Sequence, residues 1–223
     1  MIRRISILFL LLALLATVAT AQSDKQQPTF LVGATAGFSA NKVLFSPTVE
    51  QKQLMAPMGG ALLRVDVERT GTFFLGFQTE LSYVRLGWEE NFASLPAHAY
   101  SRTFECVTLP LLTHMKIKSS KLYVFLNMGP QFGFIISDKV VQEGTNFTEL
   151  QLRRYAQELH GKLEWGLAGG PGFGFEAGRM GAFELEGRIY YGFNDLLNNR
   201  QQDPHGKSSN LTLSVQLNYL FRL

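Results

Sequence analysis

Near the C-terminus, Leu211, Leu213, Val215, Leu217, Tyr219 and Phe221 alternate with Asn210, Thr212, Ser214, Gln216 and Asn218. Period-two alternation puts every apolar side chain on one face of an extended strand, whereas a helix would scatter the same residues around its axis. The pattern recurs at Phe183, Leu185, Ile189, Tyr191 and Phe193, set against Glu184, Glu186, Arg188 and Asn194. It recurs again at Leu163, Trp165, Leu167, Phe173 and Phe175, set against Glu164, Gly166, Gly170, Gly172, Gly174 and Glu176. Upstream, Thr29–Ser39, Ala61–Glu68, Thr72–Leu86, Phe104–Lys118 and Leu122–Ile136 complete eight candidate strands.

The connections alternate in length. Short turns fall at Thr70-Gly71, Ser119-Ser120 and Gly178-Arg179-Met180; long polar loops fall at Asn41–Pro57, Gly87–Ala99, Ser137–His160 and Asp195–Lys207. Trimming every second end of a sheet is the layout of an all-β, eight-stranded antiparallel up-and-down transmembrane β-barrel, with short periplasmic turns and long extracellular loops. Turn parity sets an expected register. A three-residue turn at 178–180 places Gly174 opposite Glu184 and Gly172 opposite Glu186, so the glycines leave room for the neighbouring carboxylates. A two-residue turn at Ser119-Ser120 pairs Lys118 with Lys121, Lys116 with Tyr123 and His114 with Phe125.

The spacing of aromatics decides which face meets lipid. Phe73 and Tyr83, Trp165 and Phe175, and Phe183 and Phe193 each lie ten residues apart. Ten residues rising about 3.3 Å each, tilted about 40°, cover roughly 25 Å along the bilayer normal, the height between two aromatic girdles. The apolar face therefore points outward. Arg64, Glu80, Lys116, Glu164, Glu184, Glu186 and Arg188 then point into a narrow lumen, where isolated charges are costly, and the expectation is a single mixed-charge network acting as a plug. Two alternatives accompany this reading. One is a narrow ion- or solute-conducting channel lined by the same charges; the other is a soluble periplasmic lipocalin-like ligand binder, with the aromatics inside.

Composition refines the picture in two places. The 223 residues are 46% hydrophobic and only 17% charged, with 18 Phe and 21 Gly, which excludes a disordered chain or a coiled coil. The net charge of +3 includes Arg3 and Arg4 of an N-terminal segment without acids. That segment has a basic start, an apolar run from Ile5 to Val18 and a small-x-small site at Ala19-Thr20-Ala21, so residues 1–21 read as a cleaved secretory signal peptide. The remaining 22–223 form one barrel domain. Its near-neutral balance lacks the electrostatic footprint of a nucleic-acid binder. Cys106, the only thiol, cannot form an internal disulfide.

Four stretches carry a family likeness: Val107–Thr113 (VTLPLLT), Leu122–Pro130 (LYVFLNMGP), Gly166–Gly174 (GLAGGPGFG) and Phe183–Gly192 (FELEGRIYYG). They resemble, in order, the "PLLLK", "YxxxGP", glycine-rich and "EARYxxGL" strands of the PorT-like outer-membrane β-barrel family. The resemblance runs over nearly the whole mature chain. It implies an outer-membrane location, and the founding member's role implies support of type IX protein secretion. Expected partners are outer-membrane lipid and lipopolysaccharide, the barrel assembly machinery during insertion, and secretion or envelope proteins.

Little in the sequence carries chemistry. His98, His114, His160 and His205 show no metal-ligand spacing, and no nucleophile sits beside a base, so no catalytic residue, metal or cofactor is expected. A rim enzyme using His98, His160 or His205 is the remaining enzymatic possibility. In the longest loop, Thr148-Glu149-Leu150-Gln151 fits a capping box before Leu152, Tyr155, Ala156 and Leu159 at helical spacing, with Gly161 as a stop. Arg153 and Arg154 on this helix are candidates for contact with lipopolysaccharide phosphates or a protein.

Overall fold

The computed structural model describes residues 28–91, 98–144, 147–198 and 207–223; the signal segment and His205 lie outside the described residues. The strands are β1 (Thr29–Ser46), β2 (Gln51–Lys52), β3 (Leu54–Thr70), β4 (Phe73–Glu90), β5 (Ala99–Ser119), β6 (Leu122–Glu143), β7 (Leu163–Glu176), β8 (Ala182–Asp195) and β9 (Lys207–Arg222). An α-helix, α1 (Glu149–Tyr155), lies between β6 and β7. Apart from β2, which adds two residues to the far end of β4, each strand pairs antiparallel with its sequence neighbour, and β9 closes on β1.

The register defines the geometry of the ring. Stepping across paired residues from Phe30 leads to Val65, Phe77, Thr113, Met128, Gly169, Ile189 and Leu213, and returns to β1 at Ala40. A ten-residue stagger is about 33 Å; spread over eight strands about 4.8 Å apart, it tilts them about 40° and leaves a bore only wide enough for side chains. Large apolar side chains cover the outside: Phe38, Leu63, Leu81, Phe173, Phe183, Val215 and Leu217 are all more than half exposed. A soluble lipocalin-like barrel would hide them, and the outward facing rules that alternative out.

Several sequence expectations are corrected by the register. The Ser119-Ser120 hairpin turns one residue later. Ser119 pairs with Leu122, Lys118 with Tyr123 and Lys116 with Phe125, while Ser120 takes φ 59, a left-handed conformation suited to a tight turn. The two-residue change in pairing keeps every side chain on its face. Gly172 and Gly174 do sit opposite Glu186 and Glu184. The space they leave, however, is taken from the other side: a Cβ on Gly172 would clash with the Phe125 ring, and one on Gly174 with that of Tyr123.

The loops are also shorter than expected. β1 runs to Ser46, β3 starts at Leu54, β4 runs to Glu90 and β6 to Glu143, so much of the polar sequence is strand projecting past the membrane band. Its signal is a reversal of phase. On β4, Phe77, Leu81 and Tyr83 face out while Gln78, Glu80 and Ser82 face in; beyond Tyr83 the apolar Val84, Leu86 and Trp88 become the inward set. Within the bilayer the outside is oil, and above it the outside is water, so one strand obeys opposite patterns along its length.

Candidate functional site

The lumen is built in tiers. In the middle tier, Arg64 donates through Nη1 and Nη2 to Glu184 at 2.6 and 2.7 Å and through Nε to Gln78 Oε1 at 2.7 Å. Gln78 Nε2 donates to Glu80 Oε1 at 2.7 Å. Arg188 grips Glu80 at 2.6 and 2.9 Å and Glu186 at 2.8 and 3.0 Å. Tyr123 Oη donates to Glu184 at 2.7 Å, and the amides of Gln216 and Asn218 donate to Glu186. All five charged residues are buried, and forked guanidinium–carboxylate contacts are the geometry that best offsets their desolvation.

Two residues expected in this network stand apart from it. Lys116 pairs with Asp66 at 2.7 Å one tier nearer the turns, its ammonium between the rings of Phe74 and Tyr123 at 4.7 and 5.1 Å. Glu164, on the loop side, meets no cation among the described residues; its neighbours are the polar side chains of Asn210 and Tyr190, and its carboxylate sits against Gly192 and near Gly133. Strand tilt is the reason. Residues sharing the inward face can differ in height by more than a side chain's length, so a shared face does not imply contact. His114 is also inward, its Nδ1 2.7 Å from Asn127 Oδ1. At the turn end the lumen opens into a cavity of about 440 Å³ lined in part by Asp66, Lys116, Lys118, Glu176 and Arg222.

The loop end is closed by an apolar cap that sequence reading missed. Trp88 is fully buried, with ring centroids at 5.1 Å to Phe45 and 6.1 Å to both Tyr100 and Phe104. Val43, Val84, Leu86, Cys106, Ile135, Leu196 and Leu197 complete the cluster. The phase reversal after Tyr83 was the available signal. The helix α1 roofs this cap and is fixed at its start by the Thr148–Gln151 capping box. It ends at Tyr155, earlier than the Gly161 expected, because the chain after it pairs with the segment beyond β8: Leu159 bridges Leu197, His160 N–H donates to Leu196 O at 2.9 Å, and Asn198 N–H donates to Glu158 O at 2.8 Å.

Arg154 is therefore not available to external phosphates. It is buried and donates to Glu90 Oε2 at 2.6 Å, while Tyr155 stacks on Tyr100 at 3.6 Å and donates to the same carboxylate oxygen. Arg153 points to solvent and pairs with Glu149. Arg102 ties the roof to the wall, holding Asp138 at 2.6 and 3.0 Å and the Gln157 carbonyl at 2.7 Å. Burial holds the Glu90 carboxyl above its ordinary range, with Arg154 opposing, and pushes the Tyr100 phenol up to about 12.

The aromatic girdle residues lie on the outer wall. Trp165 meets Phe193 edge-on at 5.3 Å beside Tyr83's level, and Phe183 pairs with Phe175 across strands and contacts Tyr219 at 5.0 Å nearer the turns. Phe73 is half-buried at the first residue of β4. Among the described residues no group of three or more His, Cys, Asp or Glu side chains is placed to hold a metal ion.

A closed eight-strand ring with an apolar exterior, girdles and a charged interior defines a transmembrane β-barrel. Residues 20–198 match the family described as outer membrane protein beta-barrel domain, and the chain belongs to that family; it is an outer-membrane protein. The match ends before β9, the strand that completes the ring. Among solved structures, OprG of Pseudomonas aeruginosa is similar at 9% identity and TM-score 0.48, covering 88% of this chain and 97% of its own. Ail, the attachment invasion locus protein of Yersinia pestis, gives 12% and 0.39 over 86% and 99%; the outer membrane enzyme PagL gives 12% and 0.41 over 84% and 98%. Likenesses this distant say nothing about activity. No curated protein matches the sequence.

Proposed function

We propose that this is a non-enzymatic outer-membrane barrel whose interior is a structural plug and whose projecting parts act as a scaffold or interaction surface in the cell envelope. The observation that carries this reading is the lumen itself: the guanidinium–carboxylate tier and the Trp88 cap close the bore at two heights. The PorT-like strand motifs support a narrower version, in which the barrel assists type IX protein secretion. Partners on this reading are lipid and lipopolysaccharide around the wall, the assembly machinery during insertion, and envelope or secretion proteins at the ends.

Two experiments test it. Purified protein in planar bilayers should give no conductance steps, and stable steps would favour the narrow-channel reading. In cells, replacing the cap segment 144–162 with a short linker should impair export of secreted cargo while leaving the barrel in the outer membrane; unimpaired export would remove the secretion role.

A further inference from the structure

β7 pairs with β6 only as far as Phe134, opposite Leu163, and the last bond on that side runs from Ile135 N–H to Lys162 O at 2.8 Å. β5 continues along the other side of β6 to the pair Ala99–Glu143. From Ile136 to Glu143, then, β6 is a strand paired on one side, and among the described residues no strand pairs with its other side. Open edges of this length are templates for a further strand, and proteins usually cover them. Here the following segment turns over the barrel mouth instead, where Tyr155 stacks on Tyr100 and Arg154 binds Glu90. Asp138 to Gly144 are left exposed, with Val140 and Val141 about half accessible.

The side chains on this edge say which strand fits. Lys139 lies on the outer face, where it bonds Glu105, and alternation puts Val141 and Glu143 on the same face. The order is cation, apolar, anion. Paired antiparallel with itself about Val141, the edge sets Lys139 against Glu143 twice and valine against valine. Paired parallel and in register, it sets Lys139 against Lys139 and Glu143 against Glu143, which is unfavourable. The Lys139 side chain is 63% exposed and its ammonium has three donors, so it can keep Glu105 and still bind a second carboxylate.

We propose that this edge of β6 pairs antiparallel with the same edge of a second copy seated in a facing membrane. The geometry follows from symmetry. Two antiparallel strands of one sheet are related by a two-fold axis normal to the sheet, and the normal to a barrel wall lies near the membrane plane. That operation inverts one barrel relative to the other, so the contact is isologous and bridges two bilayers. Val141 is nine residues beyond Phe132, which pairs with Trp165 of the girdle; at about 3.3 Å per residue and about 40° tilt it stands about 23 Å above it. The inference rests on the reading of the barrel as an interaction protein and names its partner.

The test uses the full-length protein in phosphatidylcholine vesicles, with tethering followed by light scattering. Wild-type vesicles should cluster. Lys139→Glu and Glu143→Lys should each slow clustering at least tenfold, because each sets like charges opposite one another; Glu143→Lys leaves the Glu105 pair intact. Mixing the two single variants should restore clustering, since every Glu then meets a Lys, and the Lys139→Glu/Glu143→Lys double variant should cluster alone. Dispersed wild-type vesicles, single variants that cluster like wild type, or a mixture that stays dispersed would each overturn the proposal. A boiling-dependent gel shift retained in every sample assigns such a failure to the edge, whereas loss of the shift in wild type would undermine the barrel reading beneath it.

Discussion

Arg188 is the side chain on which the middle of the lumen depends most. Its guanidinium makes four hydrogen bonds to two carboxylates, and Arg188, Glu80 and Glu186 are all buried. In Arg188→Ala, Glu80 keeps only the Gln78 amide and Glu186 only the amides of Gln216 and Asn218, at 3.2 and 3.3 Å. Removing one partner of a buried ion pair costs about 3–5 kcal/mol because the other charge stays behind. At about 1.4 kcal/mol per decade, the folding equilibrium should shift by about two to three and a half orders of magnitude. The combination Arg188→Met, Glu80→Gln and Glu186→Gln removes the charges together and should fall within about 1–2 kcal/mol of wild type. Urea unfolding in lipid vesicles, read by gel mobility without boiling, measures both. A stability of Arg188→Ala within about 0.5 kcal/mol of wild type, or a triple variant as unstable as the single one, would refute the argument.

Other consequences follow from the same packing. Gly172→Ala drives a methyl into the Phe125 ring, which is hemmed in by His114 at 5.1 Å and by Arg64 at 5.8 Å, and should cost about 1–3 kcal/mol; adding Phe125→Leu should recover much of it in the same unfolding assay. Glu90's folded value is raised, so the cap binds its proton longer than the unfolded chain does; cap stability is full below the unfolded value and falls as pH rises through the folded one. Trp88 fluorescence in a Trp165→Phe background should show that slope as pH rises above the ordinary glutamate value of about 4.3, and Glu90→Gln should flatten it. Tyr155→Ala removes the stack on Tyr100 and the bond to Glu90 and should expose the 144–162 segment to protease while the heat-dependent gel shift persists; unchanged cleavage would show that the helix is held by other contacts.

The membrane-embedded wall was legible in the chain because lipid outside and side-chain groups inside impose one alternation on every strand, and because the spacing of Trp165 and Phe175, or Phe183 and Phe193, records the thickness of the bilayer. The closed ring and the outer membrane followed from that. The upper barrel was not legible as strand, since the solvent on its outer side changes from oil to water near Tyr83 and the alternation reverses, which in sequence reads as its end. Contacts within the lumen were decided by the ten-residue stagger alone: Arg64 and Glu184 lie 120 positions apart and meet, while Glu164 shares the inward face of β7 and meets no cation among the described residues. The face a residue occupies is a property of its strand, but its height in the barrel depends on the register of all eight, and only closure of the ring sets that.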